Sequence, residues 1–189
     1  MPKSAERGRA IELVLGVLFL AAVALHDWRA IQEDRFADCF WLCNVSAVGL
    51  ALGWLLASPR LVSAAGIWML PGCLVWLADV WLASSSIIPT SYAVHLGGAA
   101  LALAGARRFG VPRCAWLGAL ALLAAVVLFS RGCLPEAANV NAAHAVPSGW
   151  GVLGATRGRF IVATLVLATG SAWLFSWVLT RVATARRTP

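Results

Sequence analysis

Charged residues are scarce in this chain: they make up 12% of 189 positions, against 61% that are hydrophobic. Soluble domains run near about 25% charged and about half apolar. A single soluble core cannot enclose this much apolar surface, and the mean hydropathy of +0.82 points to a bilayer as the solvent. The patterns of several common chemistries are also missing. There is no Cys-x-x-Cys pair, no metal-ligand spacing, no phosphate-binding loop, no Gly-x-Ser-x-Gly and no His-Glu-x-x-His, so no motif calls for a cofactor. The five cysteines are odd in number and scattered, which excludes a disulfide framework and leaves Cys39 with Cys133 as a single candidate pair. Tyrosine occurs once beside ten tryptophans, and tryptophan is the amphipathic anchor of membrane interfaces.

What is present is a series of apolar runs. A transmembrane helix needs roughly 17 to 25 mostly apolar residues. Runs over about 10–28, 37–57, 61–82, 88–106, 113–130 and 159–180 meet this requirement. They predict an all-α, polytopic membrane helical bundle of about six transmembrane helices, forming one integral domain over 1–189. The connections are short except for 131–158, whose glycine, proline and asparagine read as a loop with room for a re-entrant or interfacial piece. The first run also has the look of a signal peptide, with a basic start and a small-residue site at Ala22-Val23-Ala24. Glu12 at its opening and the apolar continuation through Leu25 favour a retained helix.

The net charge of +7 follows from topology rather than from a nucleic-acid partner. With the N-terminus inside, the cytoplasmic side receives Lys3, Arg7, Arg9, Arg60, Arg107, Arg108, Arg113, Arg181, Arg186 and Arg187. The outer side receives Arg29, Arg35, Arg131, Arg157 and Arg159, so the split is ten against five. Basic residues accumulate on the cytoplasmic side, so both termini are expected there, in a multi-pass protein of the cell membrane.

On this topology the chemistry-bearing residues share one layer near the outer face. Cys43 and Asn44 fall ~9 Å into the second run at 1.5 Å per residue. Asp79 closes the third run, His95 opens the fourth, His26 ends the first, and the long loop adds Asn139, Asn141 and His144. An ionisable residue in a membrane helix costs about 2.5–3.5 kcal/mol and usually faces a partner or a cavity. Asp79 can orient His95, His95 can take the proton of Cys43, and Asn44, Asn139 or Asn141 can hold a developing oxyanion or a head group. The Leu70-Pro71-Gly72 stretch can open space beside the third helix. Zinc held by His26, Asp79, His95 and His144 is a second possibility, though no spacing supports it. Plainer readings stand beside these. Cys43 is equally a small apolar filler, Asp79 an arginine partner or cap, and His26 and Trp28 interfacial residues. Gly97, Gly98, Ala99, Ala102 and Gly105 serve close helix packing. Asn44-Val45-Ser46 has the glycosylation pattern but lies within a span.

Three stretches, "FWLCNVSAVGLALGWLL", "SYAVHLGG" and "NVNAAHAVPSGW", give the chain a resemblance to the YwaF-like polytopic membrane proteins, whose eukaryotic relatives include a phospholipid acyltransferase. The likeness covers roughly residues 37 to 150. That family shows a His-Leu-Cys-Asn/Asp stretch, a later helical histidine and an Asn-rich motif before the last span. Cys43 and Asn44, His95, and Asn139 with Asn141 match these features. The histidine two places before the cysteine is Trp41 here, and the late motif is Asn-Val-Asn rather than the Asn-Tyr form. The resemblance implies acyl transfer to or from a membrane lipid by a Cys43–His95 pair. A lipid-directed acyltransferase or hydrolase is therefore one expectation, a non-catalytic lipid-binding protein, transporter subunit or assembly partner is the second, and a His/Asp metal-dependent membrane hydrolase is the third. Nothing in the chain signals an oligomeric state.

Overall fold

The computed structural model describes residues 2–82, 88–147, 150–154 and 156–185. Arg186 and Arg187, most of the connection between the third and fourth helices, and positions 148, 149 and 155 of the long loop lie outside the described residues. The described chain is all-helical: α1 (Pro2–Gln32), α2 (Leu42–Leu55), α3 (Pro59–Leu82), α4 (Thr90–Phe109), α5 (Ala115–Cys133) and α6 (Arg157–Thr184), with short 3-10 turns between some of them. Each expected run therefore overlaps one α-helix.

Four of these helices are long and apolar enough to cross a membrane: Glu6–Gln32, Pro59–Trp81, Ala115–Cys133 and Arg157–Thr184. The other two depart from the expectation. α2 has 14 residues, about 21 Å of helix, because the expected 37–57 run breaks into a 3-10 turn over Phe36–Phe40 and a separate helix. The break is at Trp41, whose extended backbone (φ −58°, ψ 142°) caps both pieces. α4 is 20 residues long, but Ser91, His95, its glycines and the Arg107–Arg108 pair dilute its hydropathy. Both are inner helices. The buried face of α2 includes Ala47, Leu50, Ala51 and Trp54, and that of α4 includes Val94, His95, Gly98 and Ala102.

α3 is the hub. Its most apolar window is 44% buried, against 17–22% for α1, α5 and α6. One face packs Val62, Ala65 and Met69 against Phe19 and Val23 of α1, Leu50 and Trp54 of α2, and Val94 and Ala102 of α4. The opposite face packs Ile67 and Trp68 against Ala115 and Ala119 of α5 and Ala172 and Leu179 of α6. The abundance of alanine and glycine at these contacts lets the helix backbones approach closely, the usual route to van der Waals contact between membrane helices. α1, α5 and α6 turn large apolar side chains outward, among them Val14, Leu18, Leu128, Val162, Val166 and Trp173.

The α2–α3 corner is a Schellman motif. The Ser58 amide donates to Gly53 O at 2.8 Å and the Ala57 amide to Trp54 O at 3.2 Å. Ala57 holds the left-handed position at φ +49°, where glycine is usual. At the same end of the bundle Glu12, 4% exposed, accepts from Arg108 of α4 at 2.7 Å and from Arg9 at 3.2 Å, and Arg9 also donates to Leu55 O at 2.6 Å. This ion cluster ties α1, α2 and α4 together.

The long 131–158 connection contains no re-entrant helix among its described residues. It contains 3-10 turns at Glu136–Ala138, Val140–Ala142 and Trp150–Leu153. Cys39 and Cys133 are free thiols, so the candidate disulfide is not formed. Ser46 is fully buried, which removes Asn44-Val45-Ser46 as a glycosylation acceptor.

Candidate functional site

The Trp41 break brings several groups to one end of α2. In the preceding turn the Arg35 Nε donates to Asp38 Oδ2 at 2.7 Å and Trp41 Nε1 donates to Asp38 Oδ1 at 3.2 Å. Asn44, buried, donates from Nδ2 to Asp38 O at 2.8 Å. The Cys43 thiol points toward the same amide, donating to Asn44 Oδ1 at 3.9 Å. Cys39, outside the spanning helices, donates to Asp27 O at 3.8 Å. Burial, with the Asp27 carboxylate adding to it, pushes that thiol up to about 11. Cys39 is thus a poor nucleophile at neutral pH, since the thiolate is the reactive form.

α3 supplies a stripe. Trp68, Gly72, Trp76 and Val80 recur every four residues, with Pro71, Val75 and Asp79 beside them, which places one face of the helix along the site. Pro71 has no amide hydrogen, so the backbone bond it would make to Ile67 O is absent. Gly72 admits α2, because a Cβ there would lie 3.0 Å from Cys43 Cβ. Asp79 lies in the last turn of α3 with its side chain exposed.

α4 contributes Ser91 and His95 at i, i+4 spacing. His95 is 4% exposed. Its Nδ1 lies 3.0 Å from Ser91 O and 3.2 Å from Ser91 Oγ, and its ring stacks on Trp76 at 4.8 Å and 6°. Tyr92 meets the same indole edge-on at 5.0 Å. A backbone carbonyl only accepts, so Nδ1 carries the hydrogen and, in the neutral ring, Nε2 carries the lone pair. His26 of α1, also buried, holds Thr90 Oγ1 3.1 Å from its Nδ1.

These elements enclose a cavity of about 550 Å³, within the usual ~300–1,000 Å³ range of small-molecule sites. His26, Cys43, Asn44, Asp79, His95 and Asn141 all line it, so six of the residues singled out in the sequence share one space. Asn139 and His144 are not among its lining residues. Asn139 closes its own loop, accepting from the His144 and Ala145 amides at 3.0 and 2.9 Å. His144 Nε2 lies 3.2 Å from Ser130 O. Among the described residues no three His, Cys, Asp or Glu side chains gather as a metal set. The zinc arrangement on His26, Asp79, His95 and His144 therefore lacks the convergence it requires.

Several lining residues were not among the candidate site residues read from the sequence: Arg35, Asp38, Trp41, Trp68, Trp76 and Ser91. The four-residue recurrence from Trp68 to Val80 and the Ser91–His95 spacing were readable signals. The contributions of Arg35 and Trp41 depend on the break before α2 and had none.

The class so defined is an all-helical bundle in which four helices are long and apolar enough to span a membrane, with a cavity at one end whose lining mixes aromatic and aliphatic side chains with polar ones. No family profile, no curated protein and no solved structure matches the chain.

Proposed function

We propose that this chain is a multi-pass integral membrane protein that binds one amphiphile, a membrane lipid or an acyl-chain derivative of one, in the cavity between α1, α2, α3 and α4. The observation that carries this is the mixed lining. Trp68, Val75, Trp76, Val80 and Ile88 offer apolar surface to a chain, while His26, Arg35, Asp38 and Asp79 offer polar groups to a head. Apolar lining with a few placed polar groups is how small-molecule sites combine affinity with orientation. The ten-to-five arginine and lysine split supports placing the cavity at the extracytoplasmic face.

Val75→Trp tests the reading. Val75 is 64% exposed and lines the cavity, so an indole there fills space without displacing core. Binding of a lysophospholipid to the purified protein is expected to weaken about tenfold or more, the effect of blocking a well-packed pocket. Unchanged affinity would contradict the reading.

A second reading makes the cavity catalytic. It is favoured by the shared position of Cys43 and His95 and by the His95 tautomer, which leaves Nε2 able to accept a proton. The resemblance to YwaF-like proteins points the same way. In that reaction the Cys43 thiol gives its proton to Nε2 and its sulfur bonds to the ester carbonyl carbon of a phospholipid. The ester C–O bond breaks, and the leaving alkoxide takes the proton from His95. Water or an acceptor hydroxyl then releases the acyl group. The expected signature is a hydroxylamine-labile acyl mass on the Cys43 peptide, reduced about 10²- to 10⁴-fold in His95→Ala. A Cys43 peptide that never gains acyl mass would leave the protein a binding module. The Asn44 and Asn141 amides favour that outcome, since backbone carbonyls already engage them.

A further inference from the structure

The loop that carries Asn141 arrives at α2 from the far end of the sequence and bonds to both sides of Trp41. Asn141 Oδ1 accepts from the Leu42 amide at 2.9 Å, the first residue of α2, and Nδ2 donates to Phe40 O at 2.8 Å. The same Nδ2 donates to Ser130 Oγ of α5 at 3.1 Å. One side chain thus satisfies two backbone groups that the break at Trp41 leaves without helical partners, and it ties them to α5. Its own backbone is left-handed at φ +57°, and Asn139 and Ala142 beside it are left-handed as well, at +41° and +54°. Asparagine tolerates this conformation better than most residues do, and alanine tolerates it poorly. The turn is held in place from outside. Arg131 Nη1 and Arg157 Nη2 both donate to Ala143 O, at 3.0 and 2.8 Å.

We propose that Asn141 is a positioning residue of the cavity: a strut that sets the Trp41–Cys43 wall, with its amide engaged by the protein rather than by the ligand. With the strut in place, the end of α2 is fixed against α5, and Cys43 is held where α2 crosses Gly72. Without it, Phe40 O and Leu42 N lose their partners and the junction bearing Trp41 and Cys43 moves away from the cavity. The consequence for ligand binding rests on the amphiphile reading above, whereas the consequence for Cys43 does not.

The test uses the full chain in detergent, labelled with N-ethylmaleimide, with the rate at each cysteine read by peptide mass spectrometry. Asn141→Gly removes the amide while keeping a residue at ease with the left-handed backbone. Cys43 is expected to label about tenfold faster, as for the loss of one to two net hydrogen bonds. Cys73, buried on α3, and Cys114, exposed before α5, should keep their rates. An unchanged Cys43 rate overturns the proposal. So does a parallel rise at Cys73, which would mark general loosening rather than a local strut. Should the glycine variant fail to fold, Ser130→Ala removes only the third bond, and a rise of about twofold confined to Cys43 is expected; no rise overturns the proposal. If lysophospholipid binding is absent from the unmodified protein, the amphiphile reading fails while the labelling result still decides the strut.

Discussion

Glu12→Ala is expected to destabilise the bundle by about 2–3 kcal/mol in equilibrium unfolding with SDS. Removing one partner of a buried ion pair costs about 3–5 kcal/mol because the other charge is left without compensation. Here the carboxylate is the buried member, its side chain 5% exposed, while Arg9 and Arg108 are 44% and 52% exposed. Both guanidinium groups can turn toward water, and the expected loss falls below the fully buried case for that reason. The substitution acts on three helices at once, because Arg9 also donates to the Leu55 carbonyl at the end of α2. Glu12→Gln keeps one acceptor oxygen and loses the charge and the second acceptor, so it should fall between the wild type and the alanine variant. An alanine variant within about 0.5 kcal/mol of wild type, the range of ordinary surface changes, would show that the cluster does not hold the helices together.

The second large effect is expected at the α2–α3 corner, where it has the opposite sign to the common rule. In an exposed helix, replacing glycine by alanine stabilises by about 1 kcal/mol. At Gly53 an added Cβ would lie 2.8 Å from the Val62 backbone nitrogen, 2.8 Å from its Cγ2 and 3.2 Å from Leu61 Cβ. A backbone atom inside a helix cannot yield as a side-chain tip can, so the two helices must separate. Overpacking of this kind costs about 1–3 kcal/mol, and Gly53→Ala should lie at the upper end of that range. Gly170 of α6 is the control, since nothing approaches the equivalent Cβ position there. Gly170→Ala should be neutral or slightly stabilising. If both substitutions behave alike in SDS unfolding, the close approach at Gly53 is not what fixes the corner.

Hydropathy located every α-helix but not the ends of all of them. α1 continues from Pro2 through Arg7, Arg9 and Glu12 because charge ends an apolar run without ending a helix. Arg9 and Glu12 sit at i, i+3 and meet on the helix surface. α2 is shorter than its run because a single extended residue, Trp41, is stabilised there by a side chain 99 to 101 positions away, and no local pattern reports such a contact. The long loop was legible from its proline, glycine and asparagine. The role of its asparagines was not. Asn139 and Asn141 looked like head-group donors because they carry free-standing amides in the sequence, whereas their left-handed backbones and hydrogen bonds make them fasteners. That Cys43, His95 and Asp79 line one cavity was foreshadowed by counting residues from the ends of apolar runs. The stacking of His95 on Trp76 and its tie to Ser91 required the α3–α4 packing.

The most direct measurement is photolabelling of the full-length protein with a lysophospholipid carrying a diazirine at mid-chain, with adducts mapped by peptide. Residence in the cavity predicts adducts on the α3 and α4 peptides that contain Trp68 to Val80 and Ile88 to His95, lost in Val75→Trp. Adducts confined to the outward faces of α1, α5 and α6, and indifferent to Val75→Trp, would mean that the lipid only surrounds the bundle, and would contradict the account.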